Sequence, residues 1–211
     1  MNALRILVAD DHEMIRQGLR YVISEQPGWS ICGEAANGRQ AVHLAQKLQP
    51  DIVIMDYTMP ELNGMEATRQ ILHEFPDIKV LILSMHQSEE LIREILSTGA
   101  HGYVFKSDAG DTLVNAIKTI LEHHTYLPPK IARLFPTLLH PTLHEKTDLT
   151  PREREIVQLI AEGHSTKEVA DMLQISIKTC ETHRTHILRK LNLRSVSELV
   201  RYAIRNKIVE A

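Results

Sequence analysis

Short apolar runs alternate with amphipathic segments five times in the first 123 residues. The runs cover residues 4–9, 31–35, 52–55, 80–83 and about 103–105, and the predicted helices cover about 13–26, 40–48, 64–74, 89–98 and 109–122. The third run is apolar at four consecutive positions, three of them β-branched, which is typical of a strand buried on both faces. Because repeated strand–helix units build a parallel sheet with right-handed crossovers, the pattern predicts an α/β domain with strand order 2-1-3-4-5.

The last 60 residues carry signals for helix starts instead. Three capping boxes, each a Ser or Thr followed three residues later by Glu, begin at Thr150, Ser165 and Ser195, and Ser176 can cap a further helix. Gly163 is placed to end the first of these helices. The signals predict helices over about 152–162, 166–173, 177–191 and 195–206. The second and third are joined by only three residues, which is the short connection of a helix-turn-helix.

Residues 124–147 lack both periodic patterns. Four prolines interrupt any long helix there, while the leucines and isoleucine between them are too apolar for a freely solvated tether. We interpret 124–147 as a linker with one short helix near 130–135. The expected organisation is an α/β flavodoxin-like domain over 1–123, this linker, and a small all-α domain over 148–211.

The net charge also differs between the front and rear halves of the chain. Residues 1–125 hold 10 Lys and Arg against 17 Asp and Glu, a net of −7, whereas residues 126–211 hold 14 against 10, a net of +4. A basic rear half joined to an acidic front half indicates different partners for the two halves, with nucleic acid as a candidate for the rear one. Apolar runs are too short to span a bilayer and the first residues do not form a signal peptide, so we expect a cytoplasmic protein that makes no membrane contact.

Polar side chains follow four of the five predicted strands. Asp10 and Asp11 close the first strand, Asp56 the third, Ser84 the fourth and Lys106 the fifth. These strand ends meet at one edge of the sheet, where three neighbouring carboxylates would repel one another unless a cation lay among them. A hard divalent ion with oxygen ligands meets that need, and Mg²⁺ is the ion that we expect.

A phosphoryl group is the substrate that this edge suits. Asp56 offers an attacking oxygen, while a hydroxyl and an ammonium group supply a donor and positive charge for the transferred oxygens. Taken singly, Asp11 could instead cap the next helix, Ser84 could end a strand in a turn and Lys106 could be a solvated surface charge. Their joint occurrence at one sheet edge favours the site.

The front half resembles the receiver domain of bacterial response regulators over residues 1 to about 123. The similarity rests on Asp10-Asp11-His12, Asp56 with Pro60, Asn63-Gly64, Ser84 with His86, and Gly102-Tyr103 with Lys106. It implies that the phosphohistidine of a sensor histidine kinase phosphorylates Asp56. It also implies that Asp10, Asp11, Asp56 and the backbone carbonyl of Tyr57 hold Mg²⁺.

The same resemblance assigns roles to the neighbouring side chains. Ser84 and Lys106 are expected to contact the phosphoryl group, and Tyr103 is expected to change rotamer as the Ser84 hydroxyl moves. Thr58 and His86 are expected to tune the rate of hydrolysis. Phosphorylation and hydrolysis occur in the receiver itself, so the protein is expected to be a regulator and not an enzyme with a diffusible product.

The predicted helix over 177–191 has one apolar and one polar side. The polar side and its flanks carry Lys178, Thr179, Glu181, Thr182, Arg184, Thr185, Arg189 and Lys190. Such a face can enter a major groove, although an ordinary solvated helix face is the alternative. Its position after a short turn and a capped helix favours DNA binding.

The rear half resembles the LuxR-type helix-turn-helix, which together with the receiver indicates the NarL/FixJ class of response regulators. The similarity rests on Thr150-Pro151-Arg152-Glu153, Glu162-Gly163, Lys167-Glu168, Ile175 to Thr179, and His183-Arg184. It implies double-stranded DNA as partner, with Lys178, Thr179 and Arg184 mainly at phosphates and Glu181, Thr182 and Thr185 nearer to base edges. The last helix could form a homodimer or pack within its own domain.

Three other classes of protein fit the sequence less well. An aspartyl phosphotransferase or phosphatase is disfavoured because Thr58 stands where an acid would be expected and because a substrate-capping domain is missing. A ligand-sensing LuxR-type regulator does not explain the carboxylates of the front half. A scaffold that works without phosphorylation does not explain why Asp10, Asp11, Asp56, Ser84 and Lys106 are all present.

Overall fold

The computed structural model of the chain describes residues 3–133 and 149–209, which form two compact units. The first is an α/β unit whose five strands all run parallel in the order β2-β1-β3-β4-β5, as predicted. Its strands are β1 Leu4–Ala9, β2 Trp29–Ala35, β3 Ile52–Asp56, β4 Lys79–Ser84 and β5 Gly102–Phe105. The intervening helices are α1 Glu13–Ser24, α2 Gly38–Leu48, α3 Gly64–Glu74, α4 Glu89–Leu96 and α5 Ala109–Leu121.

The central strand β3 is buried along its whole length, as its apolar run predicted. Alternate residues of the sheet, including Ile6, Ile54 and Leu81, form a core with Leu19 of α1 and Ile117 of α5. Helix α2 packs against α3 and against β1 and β2. A sheet covered in this way leaves its carboxyl edge as the place where polar side chains can gather.

The chain after α5 returns to the edge of the sheet. Tyr126 forms a parallel bridge to Gly102, its amide donates to the carbonyl of His101 at 3.1 Å, and its carbonyl accepts from the amide of Tyr103 at 2.9 Å. A single helical turn, α6 Pro129–Ala132, follows, and its Ile131 is buried. The first residues of the predicted linker therefore pair with β5, while residues 134–147 and the end of the predicted helix at 130–135 lie outside the described residues.

The second unit contains α7 Pro151–Ala161, α8 Thr166–Met172, α9 Ile177–Lys190 and α10 Val196–Arg205. Its core includes Ile156, Val169, Cys180, Ile187 and Leu199. This apolar cluster draws on all four helices and fixes α8 and α9 as the two helices of a helix-turn-helix.

Two of the three predicted capping boxes are confirmed, at Thr150 and Ser165. The third prediction, at Ser195, was wrong for one of the two hydrogen bonds that make up a capping box. Ser195 accepts from the amide of Glu198 at 3.2 Å, but the Glu198 carboxylate accepts from the amide of Arg194 at 2.6 Å, one residue earlier than a capping box requires. Helix α10 therefore begins as predicted, with its first turn tied to the preceding residue.

Among the described residues, no helix combines the length and apolar character needed to cross a bilayer.

Candidate functional site

The carboxyl edge of the sheet brings three predicted site residues into direct contact. The ammonium nitrogen of Lys106 lies 2.8 Å from Asp10 Oδ2 and 2.8 Å from Asp56 Oδ2. Asp10 is fully buried, Asp56 is 2% exposed, and the Lys106 side chain is 7% exposed. One buried cation thus lies between two buried carboxylates, which leaves the cluster with excess negative charge.

Parallel register explains why these residues meet. Asp56 ends β3 and pairs with Leu83, so that Ser84 follows one residue later on β4, and Lys106 follows directly after β5. Asp10 follows β1, which is hydrogen-bonded to β3. The sequence positions alone were enough to predict this meeting, because strands of a parallel sheet end at the same edge.

The pKa of Asp56 is raised to about 7. Burial is the largest cause and repulsion by Asp10 adds to it, while the nearby Lys106 acts in the opposite direction. Burial alone would lower the pKa of Lys106, but attraction to Asp56 and hydrogen bonds to both carboxylates raise it. Lys106 therefore stays charged at neutral pH, while Asp56 stands near the midpoint of its titration.

Four side chains at this edge could contribute ligands to one ion. Single ligand atoms of Asp10, Asp11, His12 and Asp56 all lie within 4.8 Å of one another, the only such group of three or more residues among those described. His12 was missed as a member of the cluster, although its place directly after the two aspartates is visible in the sequence. Its Nδ1 lies 2.8 Å from Asp11 Oδ1, and its amide donates to Asp10 Oδ1 at 2.9 Å.

Asp11 does not cap helix α1, which was the alternative role for its side chain. Helix α1 has His12 at its N-cap and no side-chain cap bond. The Asp11 side chain is 33% exposed and faces His12. Asp11 is therefore available to the acidic cluster.

The loop after β3 is held close to Asp56. The amide of Gly64 donates to the carbonyl of Tyr57 at 2.8 Å, and a Cβ on Gly64 would lie 1.9 Å from the carbonyl oxygen of Asp56. Only glycine allows this approach. One lone pair of the Tyr57 carbonyl is thus used at α3, and the role of this oxygen as a metal ligand stays a prediction.

Ser84 and Tyr103 are both attached to the backbone of His86. The Ser84 hydroxyl accepts from the His86 amide at 3.1 Å, and the Tyr103 hydroxyl donates to the His86 carbonyl at 2.5 Å. Tyr103 is fully buried, and burial raises its pKa to about 12. The His86 ring makes an edge contact with Tyr57 at 5.8 Å between centroids, and Thr58 is half-buried.

The polar side of α9 is exposed, but two of its predicted DNA contacts have partners within the helical unit. Arg184 donates to the Thr166 hydroxyl of α8 at 3.1 Å, and Lys190 lies 2.8 Å from the carboxylate of Glu153 in α7. Both cations therefore tie α9 to a neighbouring helix.

The other six candidate residues on α9 are exposed: Lys178, Thr179, Glu181, Thr182, Thr185 and Arg189. The hydroxyls of Thr182 and Thr185 donate to carbonyls one turn earlier, at 2.9 Å each. Their lone pairs stay available to an outside donor. The buried side of the same helix carries Cys180 and Ile187, so the polar side is the one presented to solvent.

Helix α10 divides its apolar residues between two environments. Leu199 and Ala203 are fully buried in the core of the unit, while Val196 is 42% and Ile204 37% exposed. Packing within the unit thus accounts for part of the helix and leaves two apolar side chains at the surface.

A five-stranded parallel sheet with this acidic edge, followed by a helix-turn-helix, defines a DNA-binding response regulator. The chain belongs to that family of two-component transcription regulators, since residues 6–118 match the response regulator receiver domain and residues 147–203 match the bacterial regulatory proteins of the luxR family. The family is one of signalling regulators and not of classical enzymes.

Similar proteins match nearly the whole chain. The oxygen regulatory protein NreC of Staphylococcus carnosus is 38% identical and covers 98% of this chain and all of its own. The transcriptional regulatory protein DegU of Brevibacillus brevis is 32% identical over 97% of this chain and 94% of its own. Among solved structures, RcsB of Salmonella enterica serovar Typhimurium, bound to promoter rprA in the presence of the phosphomimetic BeF3⁻, has a TM-score of 0.64, 25% identity, and coverage of 95% and 98%.

Proposed function

We propose that phosphorylation of Asp56 by the phosphohistidine of a sensor histidine kinase controls the binding of this protein to double-stranded DNA. The observation that carries the proposal is the contact of Lys106 with both Asp56 and Asp10 at 2.8 Å, at the carboxyl edge of the sheet. Phosphoryl transfer requires a nucleophile and positive charge fixed near the transferred oxygens, and these residues supply both.

Transfer would proceed at the carboxylate of Asp56. One of its oxygens attacks phosphorus, the N–P bond of the phosphohistidine breaks, and the electron pair remains on the imidazole nitrogen, which takes up a proton. Asp56 must be ionised to attack, and its pKa of about 7 leaves roughly half of it protonated at neutral pH in the absence of other cations. Lys106 offers its charge to the transferred phosphoryl oxygens.

Mg²⁺ fits the acidic cluster, and we propose Asp10, Asp11 and Asp56 as the side chains that hold it. Their carboxylate oxygens are the ligands that this ion prefers, and they lie close enough to share one ion. When bound, Mg²⁺ supplies positive charge that offsets the carboxylates and the transferred phosphoryl group. Its presence would also favour the ionised form of Asp56.

Hydrogen bonds lead from Ser84, next to Asp56 at the sheet edge, through His86 and Tyr103 to the start of the linker. A phosphoryl group on Asp56 would compete for the Ser84 hydroxyl, which now accepts from the His86 amide. Displacement of His86 would loosen the bond from Tyr103, whose backbone amide is in turn bonded to Tyr126. We infer that Ser84, Tyr103 and Lys106 are the switch residues and that Tyr126 receives their movement.

The DNA-binding surface is proposed to be the exposed polar side of α9. Lys178, Thr179 and Arg189 would contact phosphates, and Glu181, Thr182 and Thr185 would lie nearer to base edges. Arg184 and Lys190 hold the helix in place and can add charge beside the phosphates. The structure of RcsB on promoter DNA supports DNA as the partner of this fold.

Phosphorylation is proposed to change the arrangement of the two domains and to favour a homodimer. Two linked DNA-binding units gain effective concentration on a pair of half-sites, which strengthens binding without a new base contact. Val196 and Ile204 of α10 offer exposed apolar area for such an association. Thr58 and His86 would set the rate of hydrolysis, and this self-dephosphorylation would be the only chemistry after transfer. Because its proposed partner is DNA, we place the protein in the cytoplasm.

DNA-binding assays on the full chain test this function. Fluorescence anisotropy compares native protein and Asp56→Ala, each with and without a small-molecule phosphodonor and Mg²⁺, on fragments selected from host genomic DNA by the treated native protein. Native protein should gain affinity on treatment and Asp56→Ala should not, while the exposed-residue control Asp77→Ala should respond as native protein does. Identical DNA binding in all arms would refute the coupling.

A further inference from the structure

Arg16 on α1 is the best-connected side chain next to the acidic cluster. Its Nη1 donates to the backbone carbonyl of Asp10 at 2.6 Å, and its Nε donates to Glu34 at 3.2 Å. Its Nη2 contacts the carboxylate of Glu13, one turn earlier on α1. The Arg16 side chain is only 13% exposed, so these bonds form in a poorly solvated place.

The contacts of Arg16 join three segments that meet beside Asp10. Glu34 lies in β2 next to Ala35, whose carbonyl accepts from the amide of Asp10 at 3.1 Å. The backbone of Asp10 is thus held on one side by β2 and on the other by Arg16. Asp10 is fully buried beside Asp56, so repulsion between the two carboxylates acts to separate the end of β1 from the end of β3.

We propose that Arg16 is a positioning residue for the cation site: it holds the backbone of Asp10 so that the Asp10 carboxylate stays within reach of an ion shared with Asp56. This inference rests on the proposed function, because it concerns the same Mg²⁺ site. Arg16 touches neither the ion nor the phosphoryl group and acts only through Asp10. Removal of a group that orients a metal ligand without contacting the metal typically weakens metal binding by about 10-fold to 100-fold.

Arg20 provides a matched control within the same network. It binds both oxygens of Glu34, at 2.5 and 2.6 Å, and it lies 2.7 Å from Glu13, so it shares two partners with Arg16. The hydrogen bonds of Arg20 do not include the Asp10 carbonyl. The Asp10 carbonyl is the hydrogen-bond partner that Arg16 has and Arg20 lacks, so a loss specific to Arg16→Gln is the result expected if Arg16 acts through Asp10.

Calorimetric titration of the full chain with Mg²⁺ gives the first measurement. Arg16→Gln should weaken Mg²⁺ binding by about tenfold or more, whereas Arg20→Gln should change it by less than about twofold. Arg16→Lys keeps a donor for the carbonyl but not the planar fork, and should recover part of the affinity. Equal Mg²⁺ affinity of native protein and Arg16→Gln, or equal losses in Arg16→Gln and Arg20→Gln, would overturn the proposal.

Amide hydrogen exchange in the absence of divalent cations gives the second measurement. Because it does not require Mg²⁺ to bind, it tests this proposal separately from the proposed function. Arg16→Gln should speed exchange of the amides that follow β1, including that of His12, at least tenfold more than Arg20→Gln does. Slow exchange in all three proteins would overturn the positioning role. If native protein does not bind Mg²⁺, the proposed metal site fails, while the exchange rates still decide whether Arg16 holds Asp10.

Discussion

Replacement of Asp56 by Asn should stabilise the metal-free α/β unit, although it removes the proposed phosphorylation site. The carboxyl group of Asp56 is 2% exposed and its pKa is raised to about 7, first by burial and then by repulsion from Asp10. The gap between a pKa of about 7 in the folded chain and one near 4 in the unfolded chain corresponds to about 4 kcal/mol at about 1.4 kcal/mol per pKa unit.

The sign of the pH dependence follows from proton binding. Between about pH 4 and pH 7 the folded chain holds a proton on Asp56 that the unfolded chain has lost, so the free energy of unfolding falls as pH rises through this window. Asn carries no charge at any pH and lacks this dependence. The gain in stability from Asp56→Asn should therefore be near zero at pH 4 and approach about 4 kcal/mol at pH 8.

Urea unfolding followed by tryptophan fluorescence measures this difference in the full chain. Trp29 is the only tryptophan, and it packs against the core of the α/β unit, so its emission reports that unit. Asp77→Asn, an exposed carboxylate before β4, is the matched control and should show no comparable gain.

Mg²⁺ should reduce the advantage of the variant. An ion present at about 100 times its dissociation constant stabilises native protein by about 2.7 kcal/mol, and Asp56→Asn should gain less because one proposed ligand has lost its charge. A variant that is no more stable than native protein at pH 8 without Mg²⁺ would refute the argument from burial and repulsion.

Substitutions at Gly64, at Thr150 and on α9 also have definite expected results. Gly64→Ala would place a Cβ 1.9 Å from the carbonyl of Asp56 and should lower the stability seen by tryptophan fluorescence by about 1–3 kcal/mol; an unchanged midpoint would contradict the close approach. Thr150→Ala should cost the helical unit about 1 kcal/mol in denaturant unfolding followed by circular dichroism, while Thr150→Ser should cost little; equal losses would count against the capping role. Arg189→Ala should weaken binding to all DNA sequences and reduce the salt slope by about 1, whereas Thr185→Ala should alter sequence preference; a sequence-dependent effect of Arg189→Ala would reverse these roles.

The sheet and its acidic edge could be predicted because both are encoded locally. An apolar run marks each strand, and the residue at the end of the run is the one that lies at the carboxyl edge of the sheet. Parallel topology then brings Asp10, Asp56 and Lys106 together without knowledge of any distance. The raised pKa of Asp56 needed the structure, because it depends on burial and on the position of Asp10.

The partners of cationic side chains could not be predicted from local pattern. Arg184 and Lys190 lie among the polar residues of α9, yet one bonds to Thr166 and the other to Glu153, which is 37 residues away. The role of Arg16 could not be predicted either, because one of its partners is the backbone carbonyl of Asp10, which a sequence does not display. All three contacts depend on the tertiary packing of segments that are distant in the sequence or lack a shared pattern.

The pairing of Tyr126 with β5 was missed for a related reason. A single residue bridged to a strand has no run and no period, and prolines nearby favoured the interpretation as a linker. Its bonds to His101 and Tyr103 were visible only once the sheet edge was in place. The start of the predicted linker is thus attached to a proposed switch residue.

Phosphorylation of Asp56 is the event that we propose controls DNA binding. Partial phosphorylation by a small-molecule phosphodonor, with each sample divided between mass spectrometry of trapped acyl phosphate and anisotropy on DNA, measures both quantities together. The bound fraction of DNA should rise with the occupancy of Asp56 and fall again as the acyl phosphate hydrolyses. DNA binding that stays constant while Asp56 occupancy changes would contradict this proposal.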